Sequence, residues 1–194
     1  IIYAFWELVG YPPSWAEQLM RFDEVWSPSA FIREAVSKVV SIPVQHMPIA
    51  SEVRQRGLQG RRCFGIRESA YAFLFFFDYL SYVERKNPFA VMQAFQKLLE
   101  MDPDADVVLI VKTNNSGRRP DMQASFEKAM ESLGERCVAI TSTLPELEMK
   151  SLIWLADCFV SLHRSEGFGL GLAESMVLGK PTIATAYSGN MDFC

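Results

Sequence analysis

The chain has 194 residues, of which 49% are hydrophobic and 22% are charged, and its formal net charge is −4. This composition is typical of a globular protein with a large core, and the weak negative charge excludes the general basic surface of many nucleic-acid-binding proteins. The longest apolar run, at residues 70–77, is much shorter than the roughly 20 residues of a membrane-spanning helix, so we expect no transmembrane segment.

Four cysteines are spread along the chain without a Cys-x-x-Cys pair, at Cys63, Cys137, Cys158 and Cys194. We therefore expect reduced core thiols in a cytoplasmic protein, with neither a disulfide framework nor a zinc site. The chain begins without Met inside an apolar run and stops shortly after a predicted strand and turn, which predicts that it is a fragment of a longer protein.

The first 69 residues have a less regular pattern than the rest. The predicted elements are a strand at residues 23–26, a helix that opens at Ser27 and Pro28 and runs through Val39, and a strand at residues 42–45. We expect residues 1–45 to be the end of an N-terminal domain. Residues 46–69 are predicted to link it to a second domain at residues 70–194.

From residue 70 onward, continuous apolar runs alternate with amphipathic helical stretches. The runs are Tyr71–Phe77, Val107–Val111, Cys137–Ile140, Cys158–Leu162 and Thr182–Ala186. Continuous runs are typical of strands that are covered on both faces. The pattern therefore predicts the α/β class, with a parallel sheet and helices on both faces.

The helices between these runs have clear start and stop signals. Asn87 and Pro88 predict an N-cap and a first-turn proline. Pro120 and Pro145 predict the starts of the next two helices, and the first of these is expected to end at Gly134. Gly179 is predicted to end the fourth helix.

The stretch from Ser165 to Glu174, Ser-Glu-Gly-Phe-Gly-Leu-Gly-Leu-Ala-Glu, is the strongest functional signal. It joins a predicted strand to a predicted helix through a glycine-rich turn, which is the arrangement that presents backbone N–H groups to a phosphate. Carboxylates at Glu166 and Glu174 can accept hydrogen bonds from sugar hydroxyls. Alternatively, either carboxylate stabilises only the helix dipole. The stretch predicts a site for a sugar nucleotide.

Further polar residues follow neighbouring strands at the same predicted edge of the sheet. Arg85 and Lys86 follow the first strand and would suit a diphosphate, or would be ordinary solvated charges. Thr141 and Ser142 follow the third strand and would either bond a nucleobase or cap the next helix. His163 is either a core-edge histidine or part of this edge.

Three stretches together resemble the retaining nucleotide-sugar glycosyltransferases of the GT-B fold, the glycosyl transferases group 1 (glycosyltransferase family 4). They are residues 165–174 with 179–185 and 188–190, residues 76–88 (Phe-Phe-Asp-Tyr-Leu-Ser-Tyr-Val-Glu-Arg-Lys-Asn-Pro), and residues 23–31. The resemblance implies two Rossmann-like domains. Residues 70–194 would be the C-terminal, donor-binding domain, truncated at its C-terminus.

The resemblance also implies roles for individual residues. Glu174 would accept from the ribose hydroxyls, and Thr141 and Ser142 would contact the nucleoside. Glu166 would hold hydroxyls of the transferred sugar at the catalytic centre. The backbone N–H groups of Phe168, Gly169 and Leu170 would bind the diphosphate or the sugar. The side chains of Lys86 and Arg85 would supply positive charge for the diphosphate. Many family members have Gly-Arg where this chain has Phe77-Asp78-Tyr79.

The implied function is that of a hexosyltransferase, which transfers a sugar from a nucleotide diphosphate sugar to a glycan or lipid-linked acceptor with retention. GDP-mannose is the first candidate donor from the branch resemblance, and neither a metal nor another cofactor is expected. The reaction would take place in the cytoplasm or, peripherally bound, at the inner face of the membrane, and this fragment alone is expected to be inactive. The alternatives are a nucleotide-sugar 2-epimerase of the same fold and a non-catalytic nucleotide-binding fragment.

Overall fold

The computed structural model describes residues 1–53 and 57–194, which pack as two compact units. The first unit consists of residues 1–51, 165–173 and 186–194, and the second of residues 174–185 with the described part of 52–164. The predicted linker at residues 46–69 includes residues 54–56, which lie outside the described residues. The predicted domain boundaries therefore stay a prediction.

The first unit contains a parallel sheet with the strand order β1-β2-β3. Its strands and helices are β1 (Ile2–Tyr3), α1 (Pro13–Leu19), β2 (Val25–Ser27), α2 (Ala30–Ser37) and β3 (Val44–His46). The core between them includes Ala4, Val25, Ile32 and Val36, all of which are buried.

Helix α2 begins later than the sequence predicted. Ser27 is the last residue of β2, where it is paired with His46 of β3, so it is unable to cap a helix. The N-cap is Ser29, whose side chain accepts a hydrogen bond of 3.3 Å from the N–H of Ile32. The Ser-Pro pair favoured the earlier start because it resembles a cap followed by a first-turn proline.

The second unit contains an all-parallel sheet with the strand order β6-β5-β4-β7-β8. The strands are β4 (Tyr71–Asp78), β5 (Val107–Asn114), β6 (Cys137–Ile140), β7 (Cys158–Ser161) and β8 (Thr182–Ala184), and the helices are α3 (Val83–Lys86), α4 (Pro88–Met101), α5 (Pro120–Glu131) and α6 (Glu146–Leu155). Helix α7 (Leu170–Val177) begins among the residues of the first unit and ends among those of the second. Each predicted apolar run overlaps one of these strands, and β4 and β5 extend beyond their runs to Asp78 and Asn114. The parallel sheet and the α/β class are therefore confirmed.

Strand β4 is the centre of this sheet. It pairs with β5 over eight positions, from Tyr71 opposite Val107 to Asp78 opposite Asn114. It pairs with β7 at Phe73 and Leu74, and within the described chain the ladder continues no further. Residues 75–78 of β4 therefore pair with β5 but not with β7.

The direction of the chain through the sheet reverses at β4. From β4 the chain moves outward to β5 and then β6, and it returns to the opposite side of β4 to form β7 and then β8. Open parallel sheets bind ligands outside the carboxyl ends of the strands at such a reversal, because the connections leave the two central strands in opposite directions and open a crevice.

Some local predictions were wrong. Arg85 and Lys86 lie in the one-turn helix α3 and not in a loop. Helix α5 ends at Glu131, and Gly134 begins a separate 3-10 turn. The two cysteines in apolar runs, Cys137 and Cys158, do begin strands β6 and β7; Cys158 is buried, Cys137 is half-buried, and Cys63 and Cys194 are exposed. In the described residues, no helix is both long and apolar enough to cross a bilayer.

Gly179, which follows α7, has the positive φ of 71° predicted for a residue that ends a helix. A Cβ atom there would meet no other atom within 4 Å, so an alanine would add only backbone strain. We expect Gly179→Ala to lower the free energy of unfolding by about 1–2 kcal/mol in urea denaturation.

Gly117→Ala is the matched control, because a Cβ at Gly117 also meets nothing but φ lies outside the left-handed region. This control should leave stability unchanged or raise it slightly. Equal effects of the two substitutions would contradict the strain argument.

Candidate functional site

In the second unit, the segment that follows β4 is hydrogen-bonded to the segment that follows β7. The backbone N–H of Arg164, after β7, donates to the carbonyl of Arg85 in α3 at 2.8 Å. The side chain of Asn87 donates to the carbonyl of Leu162 at 2.9 Å. Lys86 lies between these two anchored residues, so its backbone is fixed at the carboxyl end of β4, beside β7.

Asn87 does not form the predicted N-cap. It adopts a left-handed conformation with φ of 55°, and its side chain makes no capping hydrogen bond to α4. Its amide instead makes the bond to Leu162, while Pro88 begins α4 as predicted. Asparagine suits this position because it tolerates positive φ better than most residues do.

The two adjacent cations of α3 differ in exposure. The side chain of Arg85 is buried, with 7% of the residue exposed, whereas Lys86 is half-buried. Lys86 is therefore the more accessible cation of the predicted pair. The alternative that the pair consists of ordinary solvated charges is therefore excluded for Arg85.

Glu174 lies in α7, the helix that follows β7, and it forms an ion pair with Lys150 of α6. The two side chains are only 14% and 11% exposed, respectively. The sequence did not predict Lys150 as a site residue. Nothing in the local pattern identifies it, because its partner lies 24 positions away along the chain.

Thr141 and Ser142 line a pocket of about 530 Å³ at the carboxyl end of β6. Helix α6 begins at Glu146 with Pro145 as its N-cap, and no side chain makes a capping hydrogen bond there. The two hydroxyl residues are therefore not helix caps. The other lining residues are Gln59, Cys63, Phe64, Ala139, Ile140, Leu144 and Glu148.

Asp78 lies in the stretch Phe77-Asp78-Tyr79, where many members of the family have Gly-Arg. Its two carboxylate oxygens accept hydrogen bonds of 2.8 Å, one from the N–H of Leu80 and the other from the side chain of Asn115. Asp78 thus orders the turn after β4 and the start of the connection after β5. It supplies no positive charge for a phosphate.

A buried cation that the sequence analysis missed lies nearby on β5. The ammonium group of Lys112 donates to the carbonyl of Thr113 at 2.7 Å and to the side-chain oxygen of Asn114 at 2.6 Å. Burial lowers the pKa of Lys112, and the charge of Asp78 opposes that shift. A lysine at the end of an otherwise apolar run was the signal for this residue.

In the first unit, the glycine-rich turn is packed against the backbone of other segments. Glu166 is 8% exposed; its N–H donates to the hydroxyl of Ser188 at 2.7 Å, and its carbonyl accepts from the N–H of Gly189 at 2.9 Å. A Cβ at Gly167 would lie 2.6 Å from the carbonyl oxygen of Trp6. The sequence analysis attributed the glycines of this turn to contact with a ligand. At Gly167, the reason is contact within the protein, because a side chain there would collide with the backbone of Trp6.

The turn ends where α7 begins, at Leu170. Gly169 has a φ of 94°, which an L-residue with a side chain rarely adopts. The ring of Phe168 is buried against that of Phe193, with the ring centroids 5.0 Å apart. Phe168 and Gly169 therefore fix the turn immediately before the first N–H groups of α7, which have no partner within the helix.

His163, in the second unit, is almost completely buried. Its Nδ1 atom lies 3.0 Å from the hydroxyl and 3.1 Å from the carbonyl of Ser161. This is the core-edge histidine that the sequence left as one of two alternatives. Over the described ranges 1–53 and 57–194, no cluster of three or more His, Cys, Asp and Glu side chains is placed to hold a metal ion.

Comparisons with known proteins identify the family and the fold of the chain. Residues 73–194 match a family model described as glycosyl transferases group 1. The D-inositol 3-phosphate glycosyltransferase of Corynebacterium aurimucosum is 29% identical over 104 residues, which cover 54% of this chain and 25% of that protein. The chain therefore spans about a quarter of the length of this curated relative.

Two solved structures resemble the whole or nearly the whole chain. The Anabaena protein HepE, in complex with UDP and glucose, has a TM-score of 0.77 and 16% identity over 100% of this chain and 55% of its own. A trehalose-6-phosphate synthase, studied for glycosyl transfer with retention, has a TM-score of 0.72 and 12% identity over 92% of this chain and 49% of its own. These likenesses confirm the α/β, GT-B-type fold.

The bond between Asn87 and Leu162 can be tested separately from the backbone conformation of Asn87. Asn87→Gly removes the amide but adopts positive φ without strain, and we expect the free energy of unfolding to fall by about 1 kcal/mol. Asn87→Ala also forces a Cβ into the left-handed region and should cost about 1–2 kcal/mol more. Urea denaturation measures both. Wild-type stability of Asn87→Gly would show that the hydrogen bond contributes nothing.

Proposed function

Because the chain belongs to the glycosyl transferases group 1 family, we propose that the protein transfers a hexose from a nucleotide diphosphate sugar to a hydroxyl acceptor. The observation that carries the proposal is the position of Lys86 and Glu174, which follow the two adjacent strands at the reversal of the sheet. A diphosphate and a ribose are adjacent in every such donor, so a cation and a carboxylate that follow adjacent strands would match the donor's two parts.

The chemistry of the site follows from the charge of the leaving group. Breaking the bond between sugar and phosphate leaves negative charge on the diphosphate, and a fixed cation stabilises that charge most where it develops. Lys86 would supply this cation. The N–H groups of Phe168, Gly169 and Leu170 would bind the diphosphate or the sugar, and Glu166 would hold hydroxyls of the transferred sugar.

Glu174, Thr141 and Ser142 would bind the nucleoside of the donor. In this proposal, the carboxylate of Glu174 accepts hydrogen bonds from the ribose hydroxyls. Thr141 and Ser142 contact the base in the pocket beyond β6. This pocket is large enough for a nucleobase and has polar groups on its wall, as small-molecule sites usually do.

The proposals for the donor, the acceptor and the stereochemistry rest on different observations. HepE was solved with UDP and glucose, so UDP-glucose joins GDP-mannose as a candidate donor. Retention is proposed because of the likeness to trehalose-6-phosphate synthase. A glycan or lipid-linked acceptor and a cytoplasmic reaction, at the inner face of the membrane for a lipid-linked acceptor, follow from the family resemblance alone.

The roles of Lys86 and Glu174 can be tested by calorimetry on the full-length protein with UDP, GDP and ADP. We expect one nucleotide to bind, and Lys86→Met and Glu174→Ala each to weaken its binding by roughly tenfold or more, as for the loss of a hydrogen bond to a charged group. Lys97→Met is the control, since Lys97 is exposed on α4. Unchanged binding in both site variants would overturn the proposed donor site.

The predicted nucleoside pocket can be tested through its own cysteine. Cys63 is exposed and lines the pocket, whereas Cys194 is exposed in the first unit. Alkylation at pH 7 should modify both, and the nucleotide that binds should slow the modification of Cys63 but not that of Cys194. Cys158 is buried and burial raises the pKa of Cys137 to about 11, so both should react slowly. Equal rates for Cys63 with and without nucleotide would contradict the pocket assignment.

A further inference from the structure

The ion pair between Lys150 and Glu174 uses only part of the hydrogen-bonding capacity of each side chain. The ammonium group of Lys150 donates to Oε1 of Glu174, and no other polar contact of either side chain occurs among residues 1–53 and 57–194. A carboxylate has a second oxygen and an ammonium group has three donors. One acceptor and two donors thus remain in a place that is nearly closed to solvent.

Such a pair is costly unless something completes its hydrogen bonds. Removing two charges from water is unfavourable, and mutual attraction offsets this only when the remaining donors and acceptors are also satisfied. Buried polar groups in folded proteins are almost always hydrogen-bonded. The Lys150–Glu174 pair is therefore better suited to receive a ligand than to stabilise the empty protein.

We propose that Lys150 is a specificity-determining residue of the donor site, which together with Glu174 binds the vicinal diol of the donor's ribose and so selects ribonucleotides over deoxyribonucleotides. This inference rests on the proposed function. One ribose hydroxyl donates to Oε2 of Glu174. The oxygen of the neighbouring hydroxyl accepts from the ammonium group of Lys150.

A vicinal diol matches the pair because each hydroxyl both donates and accepts. Glu174 offers only an acceptor and Lys150 offers only donors, so a ligand must supply one donor and one acceptor on adjacent atoms. A deoxyribose lacks one of the two hydroxyls and leaves either the carboxylate oxygen or the ammonium group unsatisfied. Sites built to bind a hydroxyl discriminate strongly against ligands that lack it, for this reason.

The neighbouring contacts favour the nucleoside, and not the hexose, as the source of this diol. Ser151, next to Lys150 in α6, forms hydrogen bonds with the carbonyl of Leu147 at 3.0 Å and with the side chain of Gln59 at 3.2 Å. Gln59 lines the pocket assigned to the base. Lys150 is thus tied, through Ser151 and Gln59, to the nucleoside side of the site.

The hexose of the donor also carries a vicinal diol, so the test uses nucleoside diphosphates, which have only the ribose. Calorimetry on the full-length protein compares UDP with its 2′-deoxy and 3′-deoxy analogues, or the same series of GDP or ADP if that nucleotide binds. We expect the wild-type protein to bind the ribonucleotide about tenfold or more tightly than either analogue.

Three variants separate specificity from stability. Lys150→Met should reduce discrimination against one of the two analogues to less than about threefold, since the hydroxyl bound by Lys150 no longer has a partner. Lys150→Arg, which keeps the cation, should restore most of it. Lys38→Met is the control. It breaks an exposed ion pair, in which Nζ of Lys38 lies 2.7 Å from Oε1 of Glu34, and it should leave the discrimination between ribonucleotide and deoxy analogues unchanged. If Lys150→Met does not fold, as judged by thermal unfolding, Lys150→Leu, which also lacks a donor, replaces it with the same expected result.

The outcomes distinguish this inference from the proposal on which it rests. If the wild-type protein binds none of UDP, GDP and ADP, both fail. If it binds one of them but does not distinguish the deoxy analogues, the proposed donor site survives and the role of Lys150 is overturned. The same conclusion follows if Lys150→Met retains the full wild-type discrimination against both analogues.

Discussion

The ladder between β4 and β7 is the constraint on which the site depends. Because β4 is bonded to β5 on one side and to β7 on the other, the chain must leave the centre of the sheet in both directions. The ladder to β7 covers only Phe73 and Leu74, so the carboxyl ends of the two strands are free to carry different connections. Lys86 is held at one of these ends and Glu174 follows the other.

In the second unit, the proposed binding of an anionic ligand depends on local charge and not on net charge. The chain is acidic overall, yet Lys86 and Lys112 lie at or just beyond the carboxyl ends of β4 and β5, and Lys150 faces Glu174. Lys112 has two hydrogen-bond acceptors of its own, and this partnership makes it a structural cation. Lys150 has only Glu174 within the described chain, which leaves it capacity for a ligand.

Features encoded by local pattern were predicted from the sequence, and features that depend on distant partners were not. The strands of the second unit follow from apolar runs covered on both faces, and the positive φ of Gly179 follows from its place after a helix. The bond from Asn87 to Leu162 and the burial of Arg85 depend on segments that meet only in the folded chain. The Lys150 ion pair is of the same kind, because no periodicity relates α6 to α7.

A crystal structure of the full-length protein with the nucleoside diphosphate that it binds would test the central claim most directly. The account predicts the diphosphate within hydrogen-bonding distance of Lys86 and the ribose hydroxyls within hydrogen-bonding distance of Glu174, at the carboxyl ends of β4 and β7. A nucleotide bound elsewhere, with Lys86 and Glu174 both out of contact, would contradict the account.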